Sequence, residues 1–264
     1  MFKKCLLILS LTAMLCAVCA CEAAQPQALP QLVIGCDDHE PYNYADADGE
    51  PAGIDVELAR EACSRMGYTP VFRRIDWSQR DTLLERGEID CLWSCCAMDG
   101  QEASYAWVGP YMNSRQIVAV LEDSPIRTLD ELAGKRVAVR VDSKAENIFL
   151  EDTDGSVPRV AEVYSLNTAD ELATALRNAY VDAVAGYAAA AREVLQNEGI
   201  AYRFLDENLS RASIGVAFAK DSDAGLREKL SDALRGMLRD GTTKQILERY
   251  GVDTEQALGG VGDE

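Results

Sequence analysis

From Gln31 onward, short apolar runs alternate with segments whose apolar residues recur every three or four positions. Gln31–Cys36 reads as a strand, and Gly53–Met66 as a turn feeding an amphipathic helix. In that helix Leu58, Ala59, Ala62, Cys63 and Met66 line one face. Gly53 closes the turn, Asp55 is placed to cap the first free N–H groups, and Gly67 stands where a left-handed C-cap is wanted. Thr69–Arg74 follows as a strand, Gln79–Arg86 as a helix ending at Gly87, and Ile89–Ser94 as a third strand. This βαβαβ order implies a parallel sheet with right-handed crossovers. A second unit begins at Ile117–Leu121. It continues through a short helix over Thr128–Ala133 opened by Thr128, a strand at Arg136–Arg140, a helix at Thr168–Arg177 and a strand at Val181–Ala185. A helix at Ala188–Asn197 and strands at Ala201–Phe204 and Ser213–Ala219 lead to a helical end, Gly225–Tyr250, interrupted at Gly241. The pattern predicts that the tail after Gly251 frays.

The first residues read differently. Lys3 and Lys4 precede an apolar run, Cys5 to Ala20, broken only by Ser10 and Thr12. That is the layout of a signal peptide, and it is shorter than the ~20 residues that span a bilayer. Val18-Cys19-Ala20-Cys21 resembles a bacterial lipobox with Cys21 as the acylated residue, although Cys19 is unusual there. Plain secretion and an uncleaved anchor are the alternatives, and all three leave the same domain outside the membrane. Residues 22–30 form a short polar tether.

Charge and cysteine content narrow the function classes. Removing residues 1–21 deletes only Lys3 and Lys4 from the charge count, so the net charge of −18 becomes −20. Such an acidic chain argues against nucleic acid and against a basic membrane-binding patch. Cys36, Cys63, Cys91, Cys95 and Cys96 remain after Cys21, in no zinc-like spacing, and His39 is the one histidine. Cys63 on a helix face and Cys91 in a strand read as small hydrophobes, so packed, mostly reduced thiols are expected. No phosphate loop, Gly-x-Ser-x-Gly or metal cluster is present, and no cofactor is implied.

In open α/β sheets, ligands bind beyond the carboxyl ends of the strands. Here that rule points to Asp37–Tyr44, Asp76–Trp77 and Ser94–Glu102, and in the second unit to Val141–Glu146 and Gly186–Tyr187.

The wording of Gly53-Ile54-Asp55-Val56-Glu57, followed by a small-residue helix to Met66, resembles the signature of the family 3 extracellular solute-binding proteins, the amino-acid receptors of ABC importers. The likeness runs over about residues 31–251, and Asp240–Tyr250 resembles the family's closing helix. It implies an α/β, two-lobed periplasmic-binding-protein-like fold of type II, with two α/β lobes joined by two hinge crossings. Lobe one would be residues 31–112 and 218–251, lobe two residues 113–217, with crossings near Tyr111–Gln116 and Arg211–Ala217, and residues 252–264 a flexible tail. It further implies a monomer that binds a small polar solute and ABC permease subunits.

Carried over residue by residue, the resemblance is partial. Asp37 fits the acid after the first strand, and Tyr42 lies in Pro41-Tyr42-Asn43-Tyr44, similar to the family's Pro-Phe-x-Phe turn. Trp77 fits the aromatic flanking the ligand side chain, with ordinary core packing as its alternative. Ser94 and Cys95 fit two small residues that bind ligand through backbone and hydroxyl groups. Ser143 and Lys144 fit a pair at a helix N-terminus suited to an anion. Two family anchors are missing. Where an arginine clamps the ligand α-carboxylate this chain has Glu102, and where an aspartate meets the α-ammonium it has Tyr187. A buried carboxylate at Glu102 would repel a ligand carboxylate. Three readings follow. Arg140 or Lys144 takes the anionic end; the ligand is not an α-amino acid; or Glu102 is exposed and the correspondence slips by a residue or two.

The leading function is therefore an extracytoplasmic receptor that closes two lobes over an amino acid or similar solute and delivers it to a permease. An enzyme on the same scaffold, similar to cyclohexadienyl dehydratases, is the rival. It would need a carboxyl of raised pKa, with Asp37, Asp38 and Glu40 near His39 as candidates. A ligand sensor without transport is the third class.

Overall fold

The computed structural model describes residues 28–141, 143–151, 155 and 157–262; the leader, Cys21, Asp142 and most of the tether lie outside the described residues. In chain order the strands are β1 (Gln31–Cys36), β2 (Tyr44–Ala45), β3 (Pro51–Ala52), β4 (Thr69–Arg74), β5 (Cys91–Ala97), β6 (Ala106–Leu121), β7 (Arg136–Arg140), β8 (Glu162–Leu166), β9 (Ala183–Tyr187), β10 (Tyr202–Phe204) and β11 (Ser210–Phe218). The α-helices are α1 (Ile54–Met66), α2 (Arg80–Glu85), α3 (Lys144–Glu151), α4 (Ala169–Arg177), α5 (Ala188–Asn197), α6 (Ala224–Arg239), α7 (Thr242–Arg249) and α8 (Thr254–Leu258).

One mixed sheet carries nine strands in the order β4-β1-β5-β11-β6-β9-β7-β8, with β10 also on β6. The pairs β4-β1-β5 and β9-β7-β8 are parallel, as the βαβ alternation predicts, and antiparallel β11 and β6 join them. Side chains alternate across the sheet, so each half has apolar cores on both faces. Leu32 and Ile34 join Trp93, Tyr111 and Phe218 under α1 and α6, while Val33 faces Ile89, Leu92 and Leu84. In the other half Val118 and Val120 pack with Val137, Val139 and Phe149, and Ile117 and Ala119 with Leu172, Leu176 and Leu195.

β6 is longer than the apolar run Ile117–Leu121 suggests, because it continues back through Gly109-Pro110 to Ala106. Its middle, Met112–Gln116, pairs with Ser210–Ile214 where the two crossings are expected. The register of β11 shifts between Ile214 and Val216 against β6, and between Gly215 and Ala217 against β5. Gly109 makes this possible: it has φ +130°, and a Cβ there would lie 3.1 Å from Gly215 Cα.

Three local expectations are corrected. Asp55 does not cap α1; the carbonyls of Pro41 and Tyr42 accept from Ile54 and Asp55 N–H at 2.9 and 3.0 Å, and the Asp55 side chain turns inward. Over Thr128–Ala133 only a 3-10 turn forms, at Asp130–Leu132; the Glu131 carboxylate accepts from the Thr128 N–H, and Thr128 is not the cap. The chain past Gly251 is not frayed to its end. Asp253 caps α8 by accepting from Gln256 N–H at 3.2 Å, Ala257 is buried, and Asn113 donates to Gly259 O at 2.9 Å. The cap at Thr168, by contrast, is a full capping box with Glu171, and Gly67 ends α1 in the left-handed region at φ 70°.

Gly53 sits at φ +119°, and a Cβ there would stand 2.3 Å from Tyr42 O, the carbonyl that caps α1. Gly53→Ala is therefore expected to cost more than about 3 kcal/mol of folding stability. Urea unfolding with a midpoint within error of the parent would refute this.

Candidate functional site

The first wall of the site is held by one buried carboxylate. Asp55 is fully buried at the start of α1. Its Oδ2 accepts from the Cys95 N–H at 2.6 Å and from Asn43 Nδ2 at 3.2 Å, and its Oδ1 accepts from the Tyr111 hydroxyl at 2.7 Å. Asn43 also donates to Trp93 O at 3.2 Å and Ser94 Oγ at 3.3 Å. Cys95 reaches Asp55 because β5 bulges there, with Cys95 at φ 49°. Burial outweighs the three hydrogen bonds and pushes Asp55 up to about 7.

On this frame Ser94 donates to the Asp37 carboxylate, and Asp37 N–H reaches back to Ser94 Oγ at 3.4 Å. The turn between Asp37 and Tyr44 also carries His39, whose ring lies 5.2 Å from Tyr42 and 5.4 Å from Tyr187 at the end of β9. Tyr42 meets Tyr187 edge-on at 6.2 Å, and the Tyr42 hydroxyl is 3.5 Å from Ser114 Oγ. Elements of the two halves of the sheet thus touch through three rings. Arg140 ends β7 in the second half. Burial, opposed by Asp37 and reinforced by the Arg140 charge, holds His39 well below its ordinary range, so the imidazole is neutral at pH 7. The Tyr187 and Tyr42 hydroxyls are pushed up by burial and stay protonated.

Of the sequence-predicted residues, Asp37, Tyr42, Ser94, Cys95 and Tyr187 come together here, and Arg140 acts on the cluster through its charge at His39. The Cys95 N–H is committed to Asp55. Trp77 is half-buried against the cluster of Leu84, Ile89 and Leu92, with the Arg80 guanidinium 5.4 Å over its ring. Glu102 is exposed: its Oε1 accepts from Gly100 N–H at 3.0 Å, and backbone hydrogen bonds hold its carboxyl low. A buried, repelling carboxylate at Glu102 is thus corrected. Ser143 caps α3 by accepting from Glu146 N–H at 3.1 Å, and Lys144 beside it is exposed.

His39 and Asn43 were missed as contributors; the signal was their place inside the loop after β1. The five described cysteines are buried and free, as expected, and burial raises thiols such as Cys36, to about 11. No group of three or more metal-ligating side chains occurs among the described residues. A cavity of about 30 Å³, lined by Tyr42, Ser114, Arg115, Arg192 and Asp253, has room for only one or two waters.

The sequence profile of the bacterial extracellular solute-binding proteins, family 3, matches residues 32–253. The chain is 28% identical to the histidine-binding periplasmic protein of Escherichia coli K12 over 258 residues, 94% of this chain and 96% of that one. Among solved structures, Tv2483 bound to L-arginine is 26% identical with a TM-score of 0.71, covering 86% of this chain and 92% of that one. A substrate-binding protein of an ABC uptake transporter from Streptococcus pneumoniae with bound histidine is 25% identical, TM-score 0.71, covering 84% and 93%.

Asp55 yields a pH prediction. Its folded pKa of about 7 lies above the unfolded value of about 3.9, so between those values the folded state alone keeps the proton. Stability is then greatest below about pH 4 and falls as pH rises towards about 7, by an amount on the order of 4 kcal/mol. Asp55→Asn should be destabilised at low pH yet lack this fall. Urea unfolding between pH 4.5 and 8 checks it, and parallel pH curves for parent and variant would refute it.

Proposed function

Because the chain belongs to the bacterial extracellular solute-binding proteins of family 3, we propose that it captures an amino acid or amino-acid-like solute outside the cytoplasmic membrane and passes it to an ABC importer. One observation carries this reading. The loop after β1 and the carboxyl end of β9, from the two halves of one sheet, meet at His39 and Tyr187, and the charge of Arg140 at the end of β7 acts on the same histidine. Residues 31–112 with 218–251 form one lobe and 113–217 the other in this reading. A solute that touches both stabilises the closed arrangement over the open one. The relatives named for histidine, and the solved structures holding arginine or histidine, support an amino acid as the class.

Cys21 is proposed as the lipid attachment point, holding the receptor at the outer face of the membrane. A second reading, an enzyme on this scaffold, is favoured by one feature: burial and the neighbouring Glu40 carboxyl push Glu193 on α5 up to about 7. The binding reading is preferred because the described site keeps its raised carboxyl, Asp55, bonded into the frame and away from solvent.

The tests are direct. A matching amino acid at a hundred times its Kd should add about 2.7 kcal/mol and raise the melting temperature of residues 22–264 by roughly 5–10 °C. No response to any amino acid would refute the class, and conversion of a cyclohexadienyl acid to an aromatic product, seen by ultraviolet absorbance, would favour the enzyme. Cys21→Ser should move the protein from the membrane fraction to the soluble extracytoplasmic fraction; unchanged membrane retention would refute lipidation at that residue.

A further inference from the structure

We propose that Arg140 is the carboxylate anchor of this receptor. The solute would then lie with its acid group against the second half of the sheet and its cationic or donor end against Asp37. The assignment rests on the receptor reading above and names the ligand's chemistry and polarity. It reverses the arrangement the family resemblance implies, in which the carboxylate clamp follows the third strand of the first half.

Four observations carry it. First, Arg140 ends β7, and ligands of such sheets sit beyond the carboxyl ends of strands. Second, among the described residues its guanidinium makes no hydrogen bond or ion pair, and its Nε is buried without a partner. A buried donor left unpaired is costly, and in a chain with 44 acidic against 26 basic residues an acidic partner within the protein would be easy to provide. Third, Arg140 is half-buried, and its charge acts on His39 across the boundary between the halves.

Fourth, other cations near these loops are committed or turned away. Arg74 is paired with Asp38 at 3.0 Å, Arg80 lies over Trp77 and donates to its carbonyl, and Lys144 is exposed at the start of α3. His39 is neutral, which leaves the guanidinium that acts on it as the positive charge an anion entering the cluster would meet. Asp37, in the first half, also acts on His39, with the opposite sign. It accepts from Ser94 and has no ion-pair partner among the described residues, which suits it to a ligand ammonium. A guanidinium fork matches a carboxylate bidentately, whereas a lysine at the same place would supply only a point charge.

The test uses two matched pairs, L-histidine with histamine and L-arginine with agmatine, where each amine is its amino acid without the carboxyl group. Calorimetry with the parent is expected to show binding of at least one amino acid, and at least ~30-fold weaker binding of the matching amine. In Arg140→Ala the amino acid should fall by a similar factor while the amine is unchanged or tighter, so the two converge. Arg140→Lys should recover part of the loss. The apo melting temperature of each variant reports whether it is folded. A folded Arg140→Ala that binds the amino acid as the parent does, or a parent that binds the amine as tightly as the amino acid, overturns the anchor while leaving the receptor reading intact. A parent that binds neither member of either pair, nor any other amino acid, overturns the receptor reading and this assignment with it.

Discussion

A carboxylate with no access to water has to be satisfied by the protein, and Asp55 is satisfied by three segments far apart in sequence. Its oxygens hold the turn at Asn43, the bulge at Cys95 and the strand at Tyr111 to the first turn of α1. Loss of any one contact would leave a buried charge or donor unpaired, at a cost of about 1–3 kcal/mol. The position of each candidate ligand group in the first half follows from this. Ser94 precedes the bulge and is carried by it, Asp37 is bonded to Ser94, and His39 and Tyr42 belong to the turn that Asn43 anchors.

The second constraint is the continuity of β6 and β11. A receptor that closes on a solute must keep two halves in one molecule and still let them move. Here the connection is a paired run of two strands, Met112–Gln116 against Ser210–Ile214, with opposed cores on either side. The register shift at Gly215, permitted by Gly109, places an irregular stretch beside that run on the first-half side. The C-terminal segment adds a second tie. α8 buries Ala257 in the core of the first half, while Asn113 on β6 and Arg192 on α5 hold the carbonyls of Gly259 and Gly251.

Much of the fold was legible because local chemistry and global pattern agreed. The ranges of β1, β4 and β7 match their apolar runs, and Thr168 with Glu171 announces α4. Failures arose where a residue's partner is distant. Asp55 reads as an N-cap by sequence, yet carbonyls from Pro41 and Tyr42 cap the helix and free the carboxylate for Cys95 and Tyr111. The apolar run Ile117–Leu121 marks only the end of β6, whose earlier residues are held in the sheet by pairing with β11. β8 was missed because Glu162–Leu166 is a half-exposed edge strand with little apolar contrast. In the site, loop positions were legible from the strand-end rule, but side-chain direction was not. Trp77 and Glu102 stand on the right loops and face a core cluster and solvent respectively.

The charge distribution makes sense of the remaining departures from the family pattern. With a net charge of −18, the average field of this protein disfavours an incoming carboxylate, so a local cation has to dominate at short range. Partial burial strengthens that local term, since the interaction of two charges at a given distance grows as the effective dielectric falls. A guanidinium remains charged where burial keeps His39 neutral, because its intrinsic pKa is so much higher. One arginine at a strand end can therefore replace an anchor lost from a loop. Moving it from one half of the sheet to the other changes the direction in which the ligand lies without changing the fold.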